Sequence, residues 1–230
     1  MKIFTTYFAL PLTILIAAVM ANGNSFFTPA GAQSAKDGPV NAQADFTTAD
    51  DGTVTVVLTD LLANPKSIGQ AISDLSFTLS TGQTVGTLSS SSANERLISG
   101  DGTFTDNGLV STGWNLGTIG SSPTQLWLHV LDTTPKEGPA HLIVGPPDGS
   151  NLYSAANPSI TNGPHEPVLA TSALFTLNVP GVTSASTVNS ATFSFGTEEG
   201  DFVPGVPEPA TLTLLAMGGL ALLRRKQTTT

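Results

Sequence analysis

The stretch Asp51-Gly52-Thr53-Val54-Thr55-Val56-Val57-Leu58-Thr59 decides the fold class. Val54, Val56 and Leu58 alternate with Thr55 and Thr59, the period-two pattern of a strand with one buried face, and Asp51-Gly52 before it is a turn signal. The pattern returns where Leu75, Phe77 and Leu79 alternate with Ser76 and Thr78. Gln125 to Leu131, Ala140 to Val144, Ala173 to Val179 and Ala191 to Thr197 read the same way, and weaker segments lie at Val85 to Leu88 and Phe104 to Trp114. Thr81-Gly82, Asp101-Gly102, Asn107-Gly108, Pro147-Asp148-Gly149 and Pro180-Gly181 punctuate them as turns. Apart from one short helical turn at Ser67 to Ile72, no segment between 22 and 206 keeps a helical period. About eight short strands so punctuated predict an all-β fold, an antiparallel β-sandwich of Ig-like or jelly-roll type.

Composition agrees with this and excludes several chemistries. Of 230 residues 54 are Ser or Thr, which suit strands and turns better than helices. Eight basic against 17 acidic residues give a net charge of −9, so nucleic acid is not an expected partner. There is no cysteine, hence no disulfide, no thiolate nucleophile and no cysteine-bound metal.

Both ends read as addresses. Met1-Lys2 precedes an apolar run from Ile3 to Met20, and Val19 and Ala21 place small residues at the −3 and −1 positions of a cleavage site after Ala21. A positive start, an apolar core and a small-residue exit are the parts of a secretory signal peptide, 1–21, handled by the secretion machinery. At the other end, Val206-Pro207-Glu208-Pro209 precedes Ala210 to Leu223, ATLTLLAMGGLALL, and then Arg224-Arg225-Lys226. Fourteen helical residues reach about 21 Å against the ~30 Å hydrocarbon core, which makes 210–223 a marginal membrane helix. The three cations favour the cytoplasmic side, leaving the chain before Pro207 outside. Prolines on both sides of Glu208 keep the triplet extended at the membrane surface.

A Pro-Glu-Pro triplet, a short apolar helix and a terminal basic cluster, in that order, resemble the PEP-CTERM sorting signal of exported bacterial proteins. The resemblance covers Pro207 to Thr230 and implies a partner, an exosortase-type membrane enzyme. It makes Pro207, Glu208 and Pro209 the recognition motif, 210–223 the membrane segment and Arg224, Arg225 and Lys226 the retention charges. It also implies transient anchoring in the membrane, followed by residence in the cell envelope or extracellular matrix. About the activity of the exported domain the resemblance is silent.

The expected organisation is a signal peptide at 1–21, a flexible lead at 22–42, a β-sandwich cargo domain at 43–203 and the sorting signal at 204–230. Between 22 and 206 the only cations are Lys36, Lys66, Arg96 and Lys136, against 16 acids, a net of 4 − 16 = −12. Ser89 to Ser92 reads as a loop. Gly145 to Pro167, with five prolines, reads as the longest segment without strand pattern, a place where function or mobility concentrates.

Candidate chemistry within the cargo is sparse. His129, His141 and His165 are the only imidazoles, and His129 and His141 could meet if their strands were neighbours, but no His pair has helical i, i+4 spacing. No G-x-S-x-G motif is present. Asp50-Asp51 and Glu198-Glu199 are adjacent, so on strands they point to opposite faces. The Asp-Gly turns at 51, 101 and 148 and Asp106-Asn107-Gly108 carry calcium-type oxygens without the spacing of a calcium loop. For Trp114, Trp127, Tyr153 and Phe175 core packing is the default reading, and Tyr153 in the Pro-rich segment is the best candidate for an exposed ring that stacks on a sugar. The reading is therefore a protein that is not an enzyme, needs no cofactor or metal, and has a structural or adhesive role. The alternatives are a module binding extracellular polysaccharide and, third, a secreted hydrolase.

Overall fold

A computed structural model of the chain describes residues 24–118, 124–131, 140–198 and 200–208. The signal segment with its cleavage position Ala21, the apolar segment 210–223 and the cations Arg224, Arg225 and Lys226 lie outside the described residues, as does Pro209. What is described is mostly β. The strands are β1 (Asn24–Phe27), β2 (Gln33–Ser34), β3 (Gly38–Pro39), β4 (Ala42–Thr48), β5 (Thr53–Asp60), β6 (Ile72–Leu79) and β7 (Thr87–Ile98). They continue with β8 (Phe104–Val110), β9 (Asn115–Thr118), β10 (Leu126–His129), β11 (Ile143–Val144), β12 (Val168–Asn178), β13 (Val188–Phe195), β14 (Phe202–Pro204) and β15 (Val206–Pro207).

Thirteen of these form one sheet with the path β14-β13-β6-β11-β12-β5-β4-β1-β15, from which β10, β9, β7 and β8 branch. The sheet is mixed rather than purely antiparallel, because β11 runs parallel to β12. The deciding stretch behaves as its alternation requires: Val54, Val56 and Leu58 are fully buried while Val57 is exposed. In β6 the alternation understates the burial. Ser73, Asp74 and Ser76 are buried along with Leu75 and Phe77, since β6 is paired by β13, β10 and β11 and sits in the middle of the assembly. The expected helical turn is a 3₁₀ turn, Ile68–Gln70, closed by a capping box between Ser67 and Gln70.

The sheet bends until its ends meet. Phe46 on β4 and Phe77 on β6 are three intervening strands apart along the path, yet their rings lie 5.0 Å apart. Phe26 on β1 packs edge-on against Phe46 at 6.0 Å, and Thr48 Oγ1 donates to Ser186 O at 2.8 Å. The two ends of the path, β14 and β15, are consecutive in the chain and separated only by Gly205. Gly205 donates to Ala191 O at 2.8 Å, and a Cβ there would meet Ala191 O at 3.0 Å, Phe193 at 3.1 Å and Phe26 at 3.3 Å. The last strand thus crosses from β13 to β1 at a point where a side chain would be tightly crowded.

Three expectations are corrected. Residues 22–42, read as a flexible lead, include β1, β2 and β3, and Phe26 is 1% exposed in the core. Burial of that ring contributes about 2–3 kcal/mol, enough to hold a four-residue strand. Ser89 to Ser92 is not a loop but the middle of β7: Ser90, Ser91 and Ser92 pair with Thr176, Phe175 and Leu174, and Ser91 Oγ accepts from Thr112 Oγ1 at 2.8 Å. Finally, the segment 204–230, read as lying beyond the domain, gives Pro204 and Val206–Pro207 to the sheet.

Candidate functional site

The sorting triplet starts inside the folded domain. In β15, Val206 lies opposite Phe27 and Pro207 opposite Phe26, antiparallel to β1. The Glu208 N–H donates to Ser25 O at 2.9 Å, extending the pairing by one residue. In an antiparallel ladder, hydrogen-bonded and non-hydrogen-bonded pairs alternate. The Glu208 bond therefore puts Pro207 at a non-hydrogen-bonded position, where the ladder asks no N–H of it, which is how a proline fits there. Val206, Pro207 and Glu208 are exposed, whereas Phe26 opposite them is buried. The pairing accordingly joins a strand anchored in the core to one whose side chains are exposed.

The imidazoles are scattered. His129 on β10 pairs into β6 and β9 and stacks on Trp127 at 3.8 Å. His141 precedes β11, with Nδ1 3.0 Å from Thr112 O and Nε2 3.3 Å from Glu95. β10 and β11 each pair with β6 and not with one another, so the strand pairing that would bring His129 to His141 is not formed. His165 contacts Ser159 O through Nδ1. Among the described residues no three His, Asp or Glu side chains group as metal ligands.

The turn carboxylates fold the chain locally. Asp51 and Asp101 accept from the N–H groups of Thr53 and Thr103 at 3.0 Å, and Asp148 accepts from Ser150 N at 2.8 Å and Ser154 Oγ at 2.5 Å. Hydrogen bonds from Thr53, Thr103 and Ser154 hold the three carboxyls below their ordinary range. Asp50 accepts from Ser184 N at 2.8 Å, and Glu198 pairs with Lys36.

Tyr153 packs in the core, and its candidacy as a carbohydrate contact is corrected. It is 1% exposed, so it has no free face for a sugar. Its Oη donates to Gly145 O at 2.9 Å and accepts from Arg96 Nη1 at 2.9 Å. Burial pushes the phenol up, which keeps its proton in place for Gly145. Arg96 in turn grips Asp106 through Nε at 2.6 Å and Nη2 at 2.9 Å, with its guanidinium 3.8 Å above the Phe104 ring. The Arg96 bonds hold the Asp106 carboxyl down against its partial burial. The Pro-rich segment 145–167 is thus packed into the domain, with Ile160 also fully buried. Nothing local in the sequence marks Arg96 as the partner of Tyr153, 57 residues away.

A cleft of about 410 Å³ lies between the β2–β3 hairpin, the 3₁₀ turn and the β13–β14 connection, over Phe195. Its polar lining pairs internally: Lys36 with Glu198, Ser67 Oγ donating to Asp37 at 2.6 Å, and Ser34 Oγ donating to Asp201 at 2.5 Å.

Residues 205–227 match the PEP-CTERM protein-sorting motif. No curated protein and no solved structure gives a match to the chain. The motif marks a protein exported through an exosortase system, processed by that membrane enzyme, and anchored transiently in the membrane before release. The matched span opens at Gly205, the residue where the last strand crosses to β1.

Proposed function

We propose that this chain is a noncatalytic structural or adhesive protein of the bacterial cell envelope or extracellular matrix. On this reading it is a β-sandwich delivered by a cleaved signal peptide, anchored by 210–223 and released through Pro207-Glu208-Pro209. The observation that carries the reading is the sorting motif at 205–227, attached without a spacer to the last strand of the domain. A structural role is supported by the side chains that catalysis would recruit: the described carboxylates and imidazoles singled out above serve turns, strand pairs and the Arg96 cluster.

Extracellular polysaccharide is the partner we favour for the adhesive role. In place of Tyr153, the surface that suits it is the outer face of β4, β5, β12 and β7, where Thr47, Thr55, Thr176 and Ser90 stand side by side by register. A row of hydroxyls suits another hydroxyl-rich polymer, by many weak contacts rather than one deep pocket.

The test is the intact mass of the protein recovered from its native host, with the cell fraction recorded. A species beginning near Asn22 and ending between Val206 and Ala210, found in the envelope or medium, is the expected result. A mass running through Thr230 would overturn release by processing. Turnover of a glycoside or ester by the purified domain would favour the hydrolase alternative.

A further inference from the structure

We infer that β1 is a latch on the sorting motif: the exosortase-type enzyme gains the Pro207-Glu208-Pro209 triplet only after β15 has peeled from β1. The inference rests on the processing reading above and adds a regulatory step to it.

The geometry gives the reason. Pro207 lies opposite Phe26 and the Glu208 N–H is bonded to Ser25 O, so the first two motif residues lie along β1 and the central one has its N–H engaged by it. An enzyme that cuts or transfers a peptide binds it extended and reaches the backbone around the reacting bond, which strand pairing competes for. Upstream the covered segment continues without slack, because Gly205 is wedged between Ala191, Phe193 and Phe26. The domain itself would therefore be pressed against the enzyme if the pairing persisted.

The same geometry says which strand moves. Phe26 fixes β1 in the core, packed on Phe46 at 6.0 Å, while Val206, Pro207 and Glu208 are all exposed. β15 has exposed side chains and only a short ladder, the features of a segment that opens locally without global unfolding. Release of β15 from β1 leaves β14 on β13, so the domain stays folded while the triplet becomes free.

The absence of cysteine makes the test clean, since the intended disulfide is the one intramolecular bridge a double-cysteine variant can form, and the measured mass separates it from dimers and mixed disulfides. Phe27 and Val206 form a directly opposed pair, in the same class as the Ser25–Glu208 pair, with the ~5.5 Å Cα separation of hydrogen-bonded partners, which a disulfide spans. Full-length Phe27→Cys/Val206→Cys is expressed in the native host, and loss of the C-terminal tail is followed by mass with and without a membrane-permeant reductant. The locked protein is expected to lose its tail at least tenfold more slowly, with reductant restoring the rate of Val206→Cys alone. A second variant carries ten Gly/Ser residues between Val206 and Pro207, which frees the triplet from register, and is expected to be processed faster than wild type. Equal rates for locked and reduced protein overturn the latch, as does a spacer variant no faster than wild type. If wild type itself keeps its tail, the processing reading fails and the latch falls with it; a processed wild type with an indifferent lock removes the latch alone.

Discussion

Replacing Tyr153 by Phe removes one oxygen and leaves the ring, so it isolates two bonds: one that ties the Pro-rich segment to Arg96 on β7 and one that closes the segment on its own Gly145. The hydroxyl donates to Gly145 O and accepts from Arg96 Nη1, each at 2.9 Å, in a site where Tyr153 is 1% exposed. A neutral hydrogen bond contributes about 0.5–1.5 kcal/mol net and one to a charged group about 1.5–3. Arg96 keeps both bonds to Asp106, which limits the loss on its side, while the Gly145 carbonyl loses a donor that buried surroundings do not replace. The expected cost is about 2–4 kcal/mol, a fall in melting temperature of roughly 5–12 °C for a domain of this size. Urea unfolding followed by the fluorescence of Trp114 and Trp127 measures it, with an unchanged m-value confirming that the folded and unfolded states are otherwise the same. Tyr153→Ala, which also empties the ring site against Phe104, should cost about 3–5 kcal/mol. A Tyr153→Phe variant within about 0.5 kcal/mol of wild type would refute the argument. So would a Tyr153→Ala variant of normal stability that binds polysaccharide less well, because it would return the ring to the surface.

Asp60 is fully buried, and burial pushes its carboxyl well above the ordinary range against the opposing N–H groups of Leu62 and Gly145. The folded state then keeps a proton that the unfolded chain releases above about pH 4, so the contribution is complete below that pH and falls as pH rises toward the folded value. Asp60→Asn should flatten the decline of the urea midpoint between pH 4 and 7, and parallel pH profiles for variant and wild type would contradict it. At Gly145 a Cβ would stand 2.0 Å from Leu62 O, a backbone atom that cannot swing aside. Gly145→Ala should therefore cost about 3 kcal/mol or more, and a melting temperature within 2 °C of wild type would show that the segment shifts freely.

What the sequence makes legible depends on whether the deciding contact is local. β5 shows its alternation because one face is buried and the other meets water, and the turn residues around it are local chemistry. β1 to β3 are too short for a period to register: a four-residue strand and two of two residues offer only the adjacent Phe26 and Phe27 as an aromatic signal, and two neighbours show no alternation. The serine run of β7 hides its strand because its side chains carry no hydrophobic contrast, and its place is set by pairing with β12. Tyr153 reads as exposed because it sits among prolines and small polar residues, whereas its burial is decided by Arg96 and Gly145. The sorting triplet is legible for the opposite reason, being a linear signal that an enzyme reads as sequence. Its tie to β1 joins the two ends of the domain and leaves no local trace.

That tie also fixes how the domain is presented. Because β1 and β15 are antiparallel with Glu208 opposite Ser25, the chain leaves toward Ala21 and toward Ala210 from the same end of the sheet. Following the registers outward from β1, Asn24 lies opposite Phe46, Thr48 opposite Val54, Thr53 opposite Asn178 and Asn178 opposite Thr87, all at that end. Arg96, Phe104 and the Tyr153 contact lie at the far end of β7 and β8. On the proposed reading, anchoring through the sorting signal holds this end of the domain toward the membrane and turns the Arg96 cluster away from it. The two perturbations argued above act at opposite ends with no shared partner, so their effects should separate. Tyr153→Phe should lower global stability and leave tail removal at the wild-type rate, whereas the Phe27–Val206 lock should slow tail removal without lowering stability. A Tyr153→Phe variant that lost its tail faster would mean that the triplet is released by global unfolding, and the opening of β15 would then not be a local event.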